Sequence, residues 1–218
     1  MLFPTITFAV FFLVVYVANW ALMPRPRLWK QAIIVASCVF YGWWDWRLIF
    51  LLLGATLVNQ ALGVRVYRAA GGRGGRRPAA RPWLMLAVAV NLATLGVFKY
   101  FDFFALSLNG VLAAFGLGAP LPLLRIALPV GISFLVFRML TYVIDIYRGQ
   151  LTPAPALDFA VYTVFFPYLL AGPIARAREF LPQLREPRDP RAVDSSRAFV
   201  LILGGLVKKL LIADYLST

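Results

Sequence analysis

Apolar residues in this chain come in long runs, and charge is confined to the gaps between them. Phe3 to Met23 is 21 residues without a charge, enough as a helix to cross a bilayer core of ~30 Å. Gln31 to Trp44 is apolar but only about 21 Å long as a helix. Gly42-Trp43-Trp44-Asp45-Trp46-Arg47 interrupts, and Leu48 to Val64 follows. These two runs predict either two short spans or a re-entrant hairpin; both return the chain to the side it left. Asn59 and Gln60 lie in the second run and are predicted to face protein rather than lipid. Trp83 to Leu106 is the next span. Ser107 to Arg125, rich in Gly and Pro, predicts an outside loop, with helix at most over Val111 to Phe115.

Leu128 to Tyr147 is one apolar helix, with Pro129 near its start and Gly149 as its C-terminal cap. In the next segment, Phe159 to Leu170 is too short to span. Phe165-Phe166-Pro167 breaks it, and Ala171-Gly172-Pro173-Ile174 ends it. The pattern predicts a re-entrant or interfacial element, which survives at membrane depth only when buried in protein or lining a wet cavity. Phe199 to Leu216 is a final span. Taken together, the runs predict an all-α, polytopic transmembrane bundle, with residues 1–218 forming a single domain.

Composition agrees. Of 218 residues, 61% are hydrophobic and 14% charged, against roughly 25% charge in soluble domains. The net charge of +13 raises nucleic acid as a partner, but the bases sit in the connections, as the positive-inside rule requires. Arg65 to Arg81 holds six arginines and no acid, and Arg176 to Arg197 holds six arginines and four acids. Both are predicted to be cytoplasmic. Arg25, Arg27 and Lys30 after the first span place the N-terminus outside. All six tryptophans fall near ends of apolar runs, as an aromatic belt.

Candidate chemistry is sparse. The chain has no histidine and one cysteine, Cys38, and no cluster with metal-ligand spacing. No cofactor is indicated. Arg138 lies mid-span, where a charge is costly and must face a cavity or a partner. Asp145 is too far along the same helix for direct contact, so the partner is predicted on another helix. Asp145 with Arg148, three apart, and Lys99 with Asp102, one turn apart, predict ion pairs at helix ends. Lys208 and Lys209 lie in the last span. Gly172 and Pro173 form a break that shapes a cavity, and Ser133 lies one helical turn and a half before Arg138.

The order of motifs resembles one family. Pro129-Val130-Gly131-Ile132-Ser133-Phe134 comes first, then Asp145-Ile146-Tyr147-Arg148-Gly149, Phe165-Phe166-Pro167, Ala171-Gly172-Pro173-Ile174, Phe180 to Leu184, and Lys208-Lys209 with Ala213-Asp214. The series is similar to the membrane-bound O-acyltransferases, in the branch that O-acetylates alginate and transfers D-alanine to teichoic acids. The resemblance implies transfer of an acyl group, acetyl in the first instance, from acetyl-CoA or an acyl carrier to hydroxyls of an extracytoplasmic polysaccharide. It also implies a bacterial inner membrane and partner proteins of the same pathway. The chain departs from the family at Leu135, Val136 and Arg138, where members often carry polar or aromatic residues, and at Tyr168, where they often carry glutamine. It also lacks the family's catalytic histidine, which is expected beyond a helix like Phe199 to Leu216. The resemblance therefore implies an N-terminal portion, inactive alone.

Broken helices and intramembrane charge also suit a transporter or export subunit, and a membrane scaffold would explain the composition without explaining the motif order. The predicted topology has a direct check. Cysteines placed at Arg73 and Arg188 in a Cys38→Ser background should resist a membrane-impermeant thiol reagent in intact cells. Labelling of both from outside would reverse the orientation.

Overall fold

The computed structural model describes residues 5–43, 45–72, 77–115, 131–169, 175–185 and 193–216. Regular structure among them is helical throughout. Helix α1 spans Ile6–Leu22, started by Thr5, whose hydroxyl accepts from the Phe8 N–H at 3.2 Å. Helices α2 (Pro26–Gly42) and α3 (Arg47–Ala69) follow as two separate rods, joined where the tryptophan-rich interruption was read. Helix α4 (Arg81–Leu95) passes through a wide π-turn at Gly96–Tyr100 into α5 (Phe101–Ala114).

Helix α6 (Ile132–Tyr147) is the centre of the molecule. Ten of its sixteen residues are buried, and it packs against α3, α4 and the next helix, α7 (Ala156–Val164). Both ends of α6 use glycine at positive φ. Gly131 (φ 81°) precedes the first turn, and Gly149 (φ 74°) follows the last. At the latter the N–H groups of Gly149 and Gln150 donate to the Ile146 and Asp145 carbonyls, at 3.0 and 2.9 Å. A side chain at these angles would clash with the backbone, so glycine sets the limits of the helix.

Two buried apolar clusters sit at two levels along the rods. One joins Ile33, Leu62, Val66, Ala87, Val143, Ile146 and Phe159. These come from the N-terminal halves of α2, α4 and α7 and the C-terminal halves of α3 and α6. The other joins Tyr41, Leu52, Leu95, Leu135, Val136 and Val164, from the opposite halves. Helices α2, α3, α4, α6 and α7 therefore alternate in direction along the chain.

Several boundaries move. The basic connection begins later than predicted, because nothing breaks α3 before Gly71. Arg65 and Arg68 stay helical, and Arg65 lies over the Trp83 ring at 4.9 Å, which pins α3 to α4. The span from Trp83 does not end at Leu106. One helical segment runs from Pro78 to Ala114, 37 residues. Ser107 does not break it, because its hydroxyl donates to the Phe103 carbonyl of the preceding turn at 2.8 Å. The last helix, α10, starts at Ser195 rather than Phe199, capped by Asp194, and widens at Lys208–Ala213. The short segment before it holds α8 (Phe166–Leu169) and α9 (Ala177–Phe180).

Close packing of α3 on α6 depends on Gly63. A Cβ there would lie 3.0 Å from Cε1 of Tyr142 and 3.1 Å from Cδ1 of Ile146, whereas one at Gly54 meets nothing within 4 Å. Gly63→Leu should cost about 1–3 kcal/mol through overpacking, and Gly54→Ala should gain up to about 1 kcal/mol of helix propensity. Thermal midpoints of the purified protein in detergent read both. Equal effects at the two sites would show that α3 and α6 do not pack this way.

Candidate functional site

Helix α7 is too short to cross a membrane: nine residues rise about 13 Å. It begins after Pro153 and Pro155. Asp158 in its first turn favours the positive end of the helix dipole and forms an ion pair with Lys30 of α2, both side chains being largely buried. Lys30 is thus a tether between helices rather than a free loop cation. The helix stops at Phe165, whose backbone turns to φ −52°, ψ 107°. Pro167 lies just beyond, in the first turn of α8, where its missing N–H leaves no helix bond unmade.

A helix that ends inside a bundle leaves carbonyls and nearby N–H groups without intrahelical partners. Here two of the freed groups at the break are met from neighbouring helices. Nη1 of Arg138 donates to the Thr163 carbonyl at 3.3 Å. The Phe166 N–H donates to Oγ of Ser37 at 3.2 Å, and that hydroxyl donates to the Ile33 carbonyl at 2.7 Å. The Thr163 hydroxyl lies 3.0 Å from that of Thr56 on α3.

Arg138 is 2% exposed. Its guanidinium carbon lies 5.2 Å from the Tyr162 ring centre and 5.4 Å from that of Tyr168, a distance at which the electron-rich face attracts a cation. The predicted partner on another helix exists, but it is the carbonyl end of α7 and two rings rather than a carboxylate. A helix C-terminus carries partial negative charge, so it suits a cation. Nε and Nη2 of Arg138, both buried, have no hydrogen-bond partner among the described residues. Arg138 and Tyr168, two positions at which the sequence departs from the family pattern, touch each other here.

A belt of polar side chains surrounds this point between the two apolar clusters. Nδ2 of Asn91 donates to Oδ1 of Asn59 at 2.7 Å, and Nδ2 of Asn59 donates back at 3.3 Å. Gln60 donates to the Ala154 carbonyl at 2.7 Å and accepts from the Tyr142 hydroxyl at 2.9 Å, while the Ala154 N–H donates to that hydroxyl at 3.1 Å. Asn59 and Gln60 therefore do turn to protein, as predicted. Beside the belt lies a cleft of about 660 Å³, walled by Tyr16, Trp20, Trp29, Phe165, Tyr168 and Phe180, with Asn19, Glu179 and Gln183 as polar groups.

The other predicted site residues do not gather here. Ser133 is half-buried in the first turn of α6. Asp145 is buried while Arg148 is exposed, and among the described residues no ion pair joins them: Asp145 lies within α6 on its packed side, whereas Arg148 is the cap residue past its last turn. Nζ of Lys99 lies 5.3 Å from the Tyr100 ring centre, within the π-turn, and Asp102 lies in the first turn of α5. Lys208 and Lys209 are exposed, in a segment that buries no described residue, so they do not meet Arg138 in a shared core. Gly172 and Pro173 lie outside the described residues. Ser37, Thr56, Asn91 and Thr163 join the site although their only sign in the sequence is a small polar residue within an apolar run. Among the described residues no three His, Cys, Asp or Glu side chains lie close enough to hold a metal.

The whole chain aligns with known proteins. It is 37% identical over 219 aligned residues to the probable alginate O-acetylase of Pseudomonas putida, covering 100% of this chain and 44% of that protein. The corresponding protein of Pseudomonas aeruginosa is 37% identical, with 100% of this chain and 41% of that one covered. Over its whole length the chain is similar to proteins named alginate O-acetylase. The peptidoglycan O-acetyltransferase of Helicobacter pylori is 28% identical over 87% of this chain and 38% of its own length. The chain thus spans less than half the length of these O-acetyltransferase relatives. No protein-family model and no solved structure matches it. These relatives give no support to the transporter reading.

The break between α7 and α8 is the element most open to attack by substitution. Ser37→Ala leaves the Phe166 N–H buried without an acceptor and should cost about 1–3 kcal/mol. Thr94→Ala, whose hydroxyl donates only to the Val90 carbonyl of its own helix at 2.9 Å, should cost well under half as much. Denaturant unfolding of both variants in mixed micelles compares them; equal losses would mean that Ser37 does not serve the break.

Proposed function

We propose that this chain is the N-terminal portion of an enzyme that transfers an acetyl group to hydroxyls of an extracytoplasmic polysaccharide. The observation that carries the reading is alignment over the full chain, at 37% identity, with proteins named for alginate O-acetylation. The donor is acetyl-CoA or an acyl carrier, and other proteins of the pathway are partners. Residues 1–218 form one membrane domain that is incomplete by itself, multi-pass in a bacterial inner membrane, with its N-terminus outside.

Physical features support this placement. The α3 segment of 23 residues and the Pro78–Ala114 segment of 37 are long and apolar enough to cross a bilayer. Large apolar side chains such as Leu57, Met85 and Phe103 stand exposed on them, as lipid-facing side chains do. Helix α7 with the turn after it fits the re-entrant element: irregular backbone at depth, with its polar groups met by protein. In this reading the segment shapes the path of the reactants. The proton of the acceptor hydroxyl goes to a histidine contributed by the remainder of the full protein, since imidazole titrates in the range that a general base needs. Arg138 cannot be that base, because a guanidinium has no acceptor and stays protonated.

Replacing the matching segment of the Pseudomonas alginate O-acetylase with this one should give a chimera that acetylates polysaccharide in a host whose own acyltransferase is deleted. The 218-residue chain expressed alone in that host should reach the membrane and leave the polysaccharide unacetylated. A chimera present at normal amounts in the membrane but inactive would overturn the functional reading, and acetylation by the short chain alone would overturn the assignment of the base.

A further inference from the structure

Arg138 has a use for only part of its hydrogen-bonding capacity. Nη1 is engaged by the Thr163 carbonyl, and the Tyr162 and Tyr168 rings lie against the guanidinium. Nε and Nη2 remain, buried and without a partner among the described residues. These two atoms form one edge of the planar group, with two N–H bonds running parallel. That edge is the fork that grips a planar two-oxygen anion with two hydrogen bonds at once. A buried cation left with an open fork is costly unless something meets it.

The fork lies close to a route for small molecules. Tyr168 both covers the guanidinium and walls the cleft of about 660 Å³. The Tyr162 hydroxyl donates to the Ala175 carbonyl at 3.0 Å, and Ala175 also lines that cleft. One layer of side chains therefore separates the cleft from the guanidinium. Tyr168 sits on the four-residue helix α8, and a turn of its ring would open the fork to the cleft.

We propose that the Nε/Nη2 edge of Arg138 is a binding site for a single carboxylate, reached from the cleft past Tyr168. A carboxylate suits it better than a phosphate for two reasons. The group is planar with two equivalent oxygens, matching the fork, and it carries one negative charge against one guanidinium. The described residues that surround Arg138 add no second cation, and Glu179 on the cleft wall disfavours a dianion. The carboxylate belongs either to a small free acid or to a sugar acid; the site itself does not depend on the proposed acetyl transfer.

The test uses the full chain purified in a zwitterionic detergent, with thermal unfolding as the readout. Acetate should raise the midpoint by about 2–4 °C when present at several times its dissociation constant. Acetamide, the same shape without charge, should give no rise, and neither should sodium chloride at equal ionic strength. This comparison needs no variant. Arg138→Met should abolish the rise, and Arg138→Lys, which lacks the fork, should weaken acetate binding about tenfold or more. Glucuronate measured against glucose separates the two sources: a rise with glucuronate and none with glucose extends the site to sugar acids, and a rise with acetate alone restricts it to small acids. The proposal is overturned if acetamide matches acetate, if neither acid produces a rise, if inorganic phosphate matches acetate, or if Arg138→Met retains the response.

Discussion

Everything near the middle of this molecule answers to one constraint: a helix stops where no water can satisfy its end. Helix α7 finishes at Val164, and Phe165 turns the chain away. The open carbonyl end is met by Arg138, which brings a full charge into the core to do it. Neither feature is stable without the other. A broken helix end alone would leave bare acceptors at depth, and an isolated arginine would lose its hydration with nothing in return.

The rest of the bundle is built to hold that pairing. Ser37, Thr56, Asn59 and Asn91 supply short polar side chains from three surrounding helices, and each has a partner across or along the bundle. Apolar clusters on either side of this belt fix the level at which the polar groups meet. Glycine at both ends of α6 sets the limits of that helix, and Gly63 lets α3 approach it closely. Among membrane helices, such small residues allow the backbone approach that dispersion and short hydrogen bonds require.

Much of this was legible in the sequence because long apolar runs with charge only between them leave helix as the one way to satisfy their backbone. Uninterrupted apolar length marked α1 and α3, the tryptophan-rich interruption separated α2 from α3, and Gly149 closed α6. The mid-span position of Arg138 pointed to a partner on another helix. What stayed hidden followed from tertiary context. Hydropathy does not say that the partner is a carbonyl, because every residue has one. It did not expose Ser37 or Asn91, since one small polar residue hardly changes the mean of an apolar run. The extension of the α4 segment past Leu106 was missed because Ser107 and Gly110 read as loop formers, whereas the serine bonds back to its own helix.

The π-turn at Gly96–Tyr100 has a geometric consequence for the long rod it interrupts. Before it, Ala87, Asn91 and Leu95 recur every four residues on the buried side. A π-turn accommodates one residue more than the i→i+4 ladder, so it resets the phase of all that follows. Helix α5 therefore continues the axis of α4 while rotating its side chains out of step, and Ala105 is the one residue that its described length buries. The turn acts as a coupling between two shafts: direction passes through it, and facing does not. Loss of one residue there would swing α5 by roughly 100° about its own axis and turn Ala105 away from its buried position without bending the rod.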